Sequence, residues 1–226
     1  MTTISPSSKE ASALHRSRRA GWSGVTFVVL LLLSAGMASA PHGTDSVSTV
    51  REFYGEHAGV VVVAQLLGLV AAVAFAVHAQ ALASLVSSRR SVPVSAAGTA
   101  VAASAGLTAV PVLVLAATVE HAPDRLVGAM ARASDWTDVV LFTAVSLFAL
   151  AAARASAGVW AGAMAGSVAL LSIARAVLLA GGSSALSVAA PTAFLVLVTA
   201  LSMRELTTGR RRGPQPQAHL LRKDPS

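Results

Sequence analysis

The sequence predicts an all-α protein, a polytopic bundle of six transmembrane helices. Hydrophobic residues make up 54% of the 226 residues, charged residues only 12%, and the mean hydropathy is +0.68. A soluble domain of this length would need more charge to cover its surface. Six apolar stretches lie near the ~20 residues that a helix needs to cross a bilayer. They are 22–40, 58–86, 94–119, 136–153, 158–180 and 184–203.

The first stretch has the form of a signal peptide as well as of a membrane helix. Arg16, Arg18 and Arg19 precede its apolar run, and an Ala-Ser-Ala motif occupies 38–40. Pro41 follows this motif directly and would hinder cleavage. We therefore predict a retained first helix, with cleavage as the alternative.

The remaining stretches are also predicted to be helices, because an open sheet edge would leave unpaired backbone groups in lipid. The second and third are long enough to predict tilt or extension beyond the bilayer. Pro111 and Pro191 lie inside the third and sixth stretches and predict bends. Trp22, Trp136 and Trp160 stand at stretch boundaries, as interfacial anchors do.

The segments outside the stretches are short and polar. Residues 1–20 and 207–226 are too poor in apolar residues to fold alone, so we predict disordered basic tails flanking a membrane domain at 21–206. The segments 41–57 and 120–135 are predicted to be short amphipathic connectors.

One connector carries a helix signal. Residues 46–54 are predicted to form one or two helical turns capped by Asp45.

The charges between the stretches predict the orientation. Thirteen Lys and Arg residues and three acidic residues lie on one side, for a net charge of +10, whereas three Arg and seven acidic residues give −4 on the other. The positive-inside rule then places both termini in the cytoplasm, with the bundle in the plasma membrane. No aromatic residue is interleaved with the cations of the tails. The basic tails therefore indicate topology and contact with anionic lipid headgroups, and no nucleic-acid partner.

Two stripes of small residues at four-residue spacing predict close helix contacts. Small side chains let neighbouring backbones approach closely in a membrane. Packing inside the bundle is the preferred interpretation, and a homodimer seam is the alternative. The stripes are Gly98, Ala102 and Gly106 in the third stretch and Gly158, Gly162 and Gly166 in the fifth.

Ionisable residues at membrane depth are the candidate functional residues, because they are costly there and tend to face the bundle interior. Arg175 lies about 8 Å below the outer end of the fifth stretch. Asp138 lies just below the outer end of the fourth. We predict an Asp138–Arg175 ion pair, with Glu120 as the competing partner. A site for an anionic ligand or lipid headgroup, and a guanidinium that reaches the interface alone, are the alternatives.

The histidines give weaker signals. His78 and Gln80 lie in the opposite half of the second stretch, where we predict a neutral histidine hydrogen-bonded within the bundle, with a proton relay as the alternative. His42 and the Glu-His pairs at 56–57 and 120–121 are predicted to be solvated interfacial groups, with zinc ligation as the alternative. We predict no cofactor and no metal.

Catalytic motifs are absent from the sequence. It contains no cysteine, phosphate-binding loop, nucleophile elbow or intramembrane carboxylate dyad. We therefore predict that the protein is not an enzyme.

Gly-Thr-Asp at 43–45 and Val-Arg-Glu-Phe-Tyr-Gly-Glu-His at 50–57 precede the Ala/Leu/Val-rich second stretch. A first helix, a short acidic segment ending in an aromatic pair, and five further helices resemble the layout of uncharacterised six-helix membrane proteins of high-GC bacteria. The resemblance covers nearly the whole chain in layout. It implies a plasma-membrane protein without an established activity, and it carries over no catalytic residues.

Two functions follow as expectations. The first is a non-catalytic membrane component or accessory subunit that associates with the bilayer and with itself or another membrane protein. The alternative is a transporter or binding protein for a small molecule or lipid, in which Arg175, His78, Pro111 and Pro191 would be the working residues. A cavity that reaches Arg175 or His78 would favour the alternative, whereas a solid interior would favour the first.

Overall fold

A computed structural model of the chain describes residues 8–37, 41–155, 158–183 and 185–211. These residues form six α-helices and no strand, which confirms the predicted fold class. The helices are α1 (Ser8–Met37), α2 (Val47–Ala83), α3 (Ser88–Thr118), α4 (Asp124–Ala155), α5 (Val159–Ala180) and α6 (Ala189–Arg211).

Each of the six helices contains a segment long and apolar enough to cross a membrane. Successive helices pack against each other along the chain, α1 also packs on α6, and α2 touches α4. The helices α1, α3 and α5 begin at the same end of the bundle at which α2, α4 and α6 end. This end is called the terminal end below, and the opposite end, where most acidic residues lie, the acidic end.

The centre of the bundle is a cluster of phenylalanines from four helices. Phe75 and Phe148 are fully buried, and their ring centroids lie 5.0 Å apart. Phe27 of α1 and Phe194 of α6 complete the cluster, at 5.0 and 5.5 Å from Phe75. Tilted and edge-to-face pairs of this kind are favourable beyond the area they bury. The helix α1 therefore supplies Phe27 to this core. Retention of the first helix stays a prediction, and the motif at 38–40 lies outside the described residues.

The connectors at 41–57 and 120–135 are more helical than predicted. The helix α2 has 37 residues, about 55 Å at ~1.5 Å per residue, and so exceeds the ~30 Å hydrocarbon thickness. Its first turns, the end of α3 and the start of α4 share a second apolar core. Burial of these apolar side chains against one another stabilises helical structure in the segments that were predicted to be short amphipathic connectors. The core includes Val50, Tyr54, Val112, Leu115, Val119 and Val127.

The start of α2 is capped by Ser46 and not by Asp45. The Thr49 amide donates to Ser46 Oγ at 3.2 Å. Asp45 instead accepts a hydrogen bond from the backbone amide of His42 at 2.8 Å. The predicted helical turns are therefore confirmed, with the cap one residue later.

The prediction of disorder at 1–20 is wrong from Ser8 onward, because α1 begins there. Ser17 is buried and donates a hydrogen bond to the backbone oxygen of Glu205 at 2.7 Å, so this part of α1 packs against α6. The second tail is likewise helical through Arg211. Residues 1–7 and 212–226 lie outside the described residues.

The small-residue stripe of α3 packs inside the bundle as predicted at one position. A Cβ at Gly98 would overlap the Cβ of Ala79, so only glycine allows α2 this close. At Gly106 the nearest side-chain atom, from Leu69, would be 3.9 Å from such a Cβ. Ala102 is half-buried.

The prediction of internal packing is wrong for the stripe of α5. Among the described residues, a Cβ at Gly158 or Gly166 would meet nothing within 4 Å, and one at Gly162 would meet a backbone oxygen at 4.0 Å. The helix turns a different face to its neighbours, with Ala165, Val168, Ala169, Ser172 and Arg175 buried.

The two prolines differ in position. Pro111 lies within α3, as predicted, and is buried. The bend at Pro111 stays a prediction. Pro191 lies in the first turn of α6, which begins at Ala189. A proline there deletes no intrahelical hydrogen bond, so the predicted bend at Pro191 is wrong.

Candidate functional site

A cavity of about 460 Å³ lies between the helices, and all six contribute to its lining. The phenylalanine cluster forms much of its wall through Phe27, Phe75 and Phe194. Its polar residues are grouped in the segments nearest the acidic end. They are His42, Asp138, Arg175 and Ser187.

Arg175 is only 3% exposed, and its guanidinium is held by the α5–α6 connection. Its Nη1 donates to the backbone oxygens of Ser183 and Ala185, each at 3.1 Å. The guanidinium carbon lies 5.9 Å from the centroid of the Phe142 ring, within the range of a cation–π contact. Its Nε is buried and has no hydrogen-bond partner among the described residues.

The predicted Asp138–Arg175 ion pair is wrong as a direct contact. In the described part of the chain, the ion pairs within 4.0 Å are those of Arg51 with Asp124 and of His42 with Asp135. The loop carbonyls hold the guanidinium, so it does not reach the carboxylate. Asp138 is half-buried beside the cavity and interacts electrostatically with Asp135, Arg175 and His42.

Glu120, the competing partner of Arg175, also makes no such pair with any described residue. It is exposed in the α3–α4 connection. Arg175 and Asp138 therefore present opposite charges to one cavity without neutralising each other by contact.

The α1–α2 loop lies against α4 at the polar end of the cavity. The Gly43 amide donates to Asp135 Oδ2 at 2.9 Å, and His42 Nδ1 lies 3.9 Å from Asp135 Oδ1. A Cβ at Gly43 would lie 2.8 Å from the Cα of Arg132, so glycine is needed for this close approach. Asp135 therefore holds the loop, while Asp138, one turn further along α4, accepts no such bond.

Arg51 joins α2 to the α3–α4 connection outside the cavity. Its guanidinium donates to the backbone oxygens of Val119 and Ala122. It also pairs with Asp124 at 2.7 Å. These contacts assign Arg51 a structural role.

His78 is fully buried on the terminal side of the phenylalanine cluster and does not line the cavity. Its Nδ1 lies 2.7 Å from the backbone oxygen of Ala20, which confirms the predicted hydrogen bond within the bundle. Its Nε2 has no partner among the described residues. A Cβ at Gly24 would overlap Ser202 Oγ and lie 2.7 Å from His78 Nδ1, so α1 approaches closely here.

The other polar candidates do not converge on a metal site. In the described ranges, no three His, Asp or Glu side chains are placed to hold a metal ion. His57 Nδ1 bonds the backbone oxygen of Phe53 at 3.0 Å, and its ring stacks on that side chain. Gln80 bonds Ser95 and Thr99 across α2 and α3.

Sequence reasoning missed two parts of the site, Phe142 and the loop carbonyls that bind Arg175, and it assigned His42 to the interface and not to a cavity. The spacing of Asp135 and Asp138 would place them on one face of a helix, had α4 been predicted to begin before 136. Backbone carbonyls carry no residue-specific signal.

Comparisons of the chain with family models, with curated proteins and with solved structures find no match. The resemblance to six-helix proteins of high-GC bacteria therefore stays a prediction.

Proposed function

We propose that this multi-pass protein is a non-catalytic membrane component that binds one small amphipathic molecule inside the bundle. The observation that carries the proposal is the cavity lined by Arg175 and Asp138 without direct contact between their charges. A transport role for the same site is the extension of this proposal.

The size and lining of the cavity suit such a ligand. Its volume of about 460 Å³ lies in the range of small-molecule sites, which are mostly apolar with a few polar groups that fix orientation. The apolar part of the ligand would contact Phe27, Phe75 and Phe194. Its polar head would lie between Asp138 and Arg175.

The charges supply the reason to expect a polar head. A charged group at membrane depth is costly unless it is paired or hydrogen-bonded. Only 3% of the Arg175 surface is exposed, and its Nε has no hydrogen-bond partner among the described residues. A ligand with a hydrogen-bond acceptor would satisfy Arg175, and a donor on the same head would satisfy Asp138.

The test is to purify the full chain in detergent, extract it with organic solvent and identify co-purifying compounds by mass spectrometry. Ala102→Phe fills the cavity, because Ala102 lines it. Ala103→Phe is the matched control, since Ala103 is the next residue of α3 and is exposed. We expect one enriched compound in the wild type and in Ala103→Phe, and its loss in Ala102→Phe.

Asp138→Asn tests the polar end separately. This substitution keeps the side-chain volume and removes the charge. The recovered amount of a compound with a hydrogen-bond donor in its head should therefore fall, while the protein stays folded. Equal recovery of every compound from the wild type and from Ala102→Phe would contradict the proposal, provided that both variants elute as the wild type does in size-exclusion chromatography.

A role as an accessory subunit is the second candidate. The observation that favours it is the glycine stripe of α5, where a Cβ at Gly158 or Gly166 would meet no described residue within 4 Å. Gly162→Leu tests it: loss of an oligomer or of a co-purifying membrane protein, with the monomer still folded, would support this function.

A further inference from the structure

A second recess lies on the outer surface of the bundle, between α3 and α4 at the terminal end. It is a groove of about 820 Å³ whose lining comes from these two helices alone. None of its lining residues also lines the central cavity.

Three arginines surround the end of the groove. Arg89 and Arg90 lie in the first turn of α3, and Arg154 lies in the last turn of α4. All three are exposed, and none forms an ion pair among the described residues. No acidic residue in the described part of the chain lines the groove.

The remainder of the groove is apolar and runs into the membrane-spanning part of both helices. Its floor on α3 consists of small side chains, at Ala96, Ala97 and Ala100, facing Leu147 and Leu150 of α4. At ~1.5 Å per residue, Ala100 lies about 16 Å along α3 from Arg89. The alanines leave a channel of this length open, where larger side chains would fill it.

We propose that this groove binds one anionic phospholipid, with the lipid phosphate between Arg89, Arg90 and Arg154 and an acyl chain along the alanine floor. Charge complementarity favours an anionic head, because three cations line the groove and, among the described residues, no carboxylate lines it or forms an ion pair with them. The apolar part of the groove continues along the membrane-spanning surface, so it favours an acyl chain as the second part of the ligand. Basic recesses between transmembrane helices are sites of this kind.

The neighbouring recess is the less suitable one. It has a volume of about 280 Å³ and shares Arg90, but Glu205 and Arg204 line it together. A carboxylate beside the cations weakens attraction for a phosphate. Among the described residues, the groove between α3 and α4 is lined by three arginines and by no carboxylate.

The experiment uses the full chain in nanodiscs made from equal amounts of phosphatidylglycerol and phosphatidylcholine, followed by native mass spectrometry of the lipids that remain bound. The test variant carries Arg89→Gln, Arg90→Gln and Arg154→Gln. We expect the wild type to retain phosphatidylglycerol over phosphatidylcholine by about tenfold or more, since each cation near a lipid surface is worth about a factor of five. The triple variant should lose this preference.

The matched control carries Arg16→Gln, Arg18→Gln and Arg19→Gln. These arginines are exposed, lie at the terminal end of the bundle and do not line the groove. Their substitution removes the same charge as the test variant does. We expect the control to retain the lipid as the wild type does. An equal loss in both triple variants would overturn the proposal, because it would mean that diffuse surface charge holds the lipid.

A second variant tests the groove without changing charge. Ala100→Phe places a ring on the alanine floor, where it would occupy the path of the acyl chain. We expect the amount of bound phosphatidylglycerol to fall at least about fivefold. Unchanged retention in Ala100→Phe would overturn the assignment of the acyl chain. A dimer in the wild type that dissociates in both groove variants would overturn the lipid as the occupant.

Discussion

Gly98→Ala tests whether the closest contact between α2 and α3 sets the geometry of the bundle. The new Cβ would overlap the Cβ of Ala79, which is fully buried. The next nearest atoms, Ala79 Cα and Phe148 Cε2, would lie at 3.6 Å, an ordinary van der Waals distance. One methyl group therefore causes the whole conflict, and α2 and α3 must move apart to accommodate it.

The expected magnitude follows from two opposing effects. Inserting a methyl group into a packed interior costs about 1–3 kcal/mol. Replacing glycine by alanine inside a helix returns about 1 kcal/mol. Gly166→Ala gains only the second effect, because nothing lies within 4 Å of its Cβ. We expect the free energy of unfolding of Gly98→Ala to be about 1–3 kcal/mol below that of Gly166→Ala.

The measurement is reversible unfolding by SDS titration in mixed micelles, followed by circular dichroism. The double variant Ala79→Gly with Gly98→Ala moves the methyl group from one helix to the other. We expect it to be more stable than the sum of the two single changes by about 1 kcal/mol or more, as residues in contact show. Equal stability of Gly98→Ala and Gly166→Ala, or strict additivity in the double variant, would refute the reasoning.

Two further predictions concern other contacts. Gly24→Ala should lower the free energy of unfolding by about 1–3 kcal/mol, because its Cβ displaces the buried His78 ring and its hydrogen bond. In the same helix, the new Cβ of Gly36→Ala would meet no described residue within 4 Å, so a loss of similar size there in SDS titration would contradict this cause. Arg51→Ala should cost about 1–3 kcal/mol, since two carbonyls lose a charged donor. Asp124→Ala should cost under about 1 kcal/mol, because that carboxylate is 79% exposed, and a reversed order in thermal unfolding would contradict the assignment.

Parts of the site were predictable because the cost of polarity in lipid is a property of single residues. Arg175 and Asp138 stood out in an apolar sequence, and both line the central cavity. Whether Arg175 and Asp138 pair directly could not be predicted from the sequence. It depended on whether the guanidinium met a carboxylate or the carbonyls of Ser183 and Ala185 first, and backbone groups are the same in every loop.

The glycine stripes show the same limit. Four-residue spacing places Gly98 and Gly106, or Gly158 and Gly166, on one helix face, but spacing does not say what that face meets. On α3 the face meets Ala79, whereas on α5 a Cβ at Gly158 or Gly166 would meet no described residue within 4 Å. The outcome depends on the rotation of each helix about its axis, which the other buried residues set together.

By itself, the sequence determined the class of the protein, its six apolar helices and the unequal charge of the two ends. These follow from hydropathy and helix length, which add up along the chain and need no knowledge of neighbours. Only the tertiary structure decided where α2 and α4 begin, which glycines are in contact, and that a cavity and a basic groove exist. Each of these depends on side chains far apart in sequence, because the space between helices is set by what all of them bury at once.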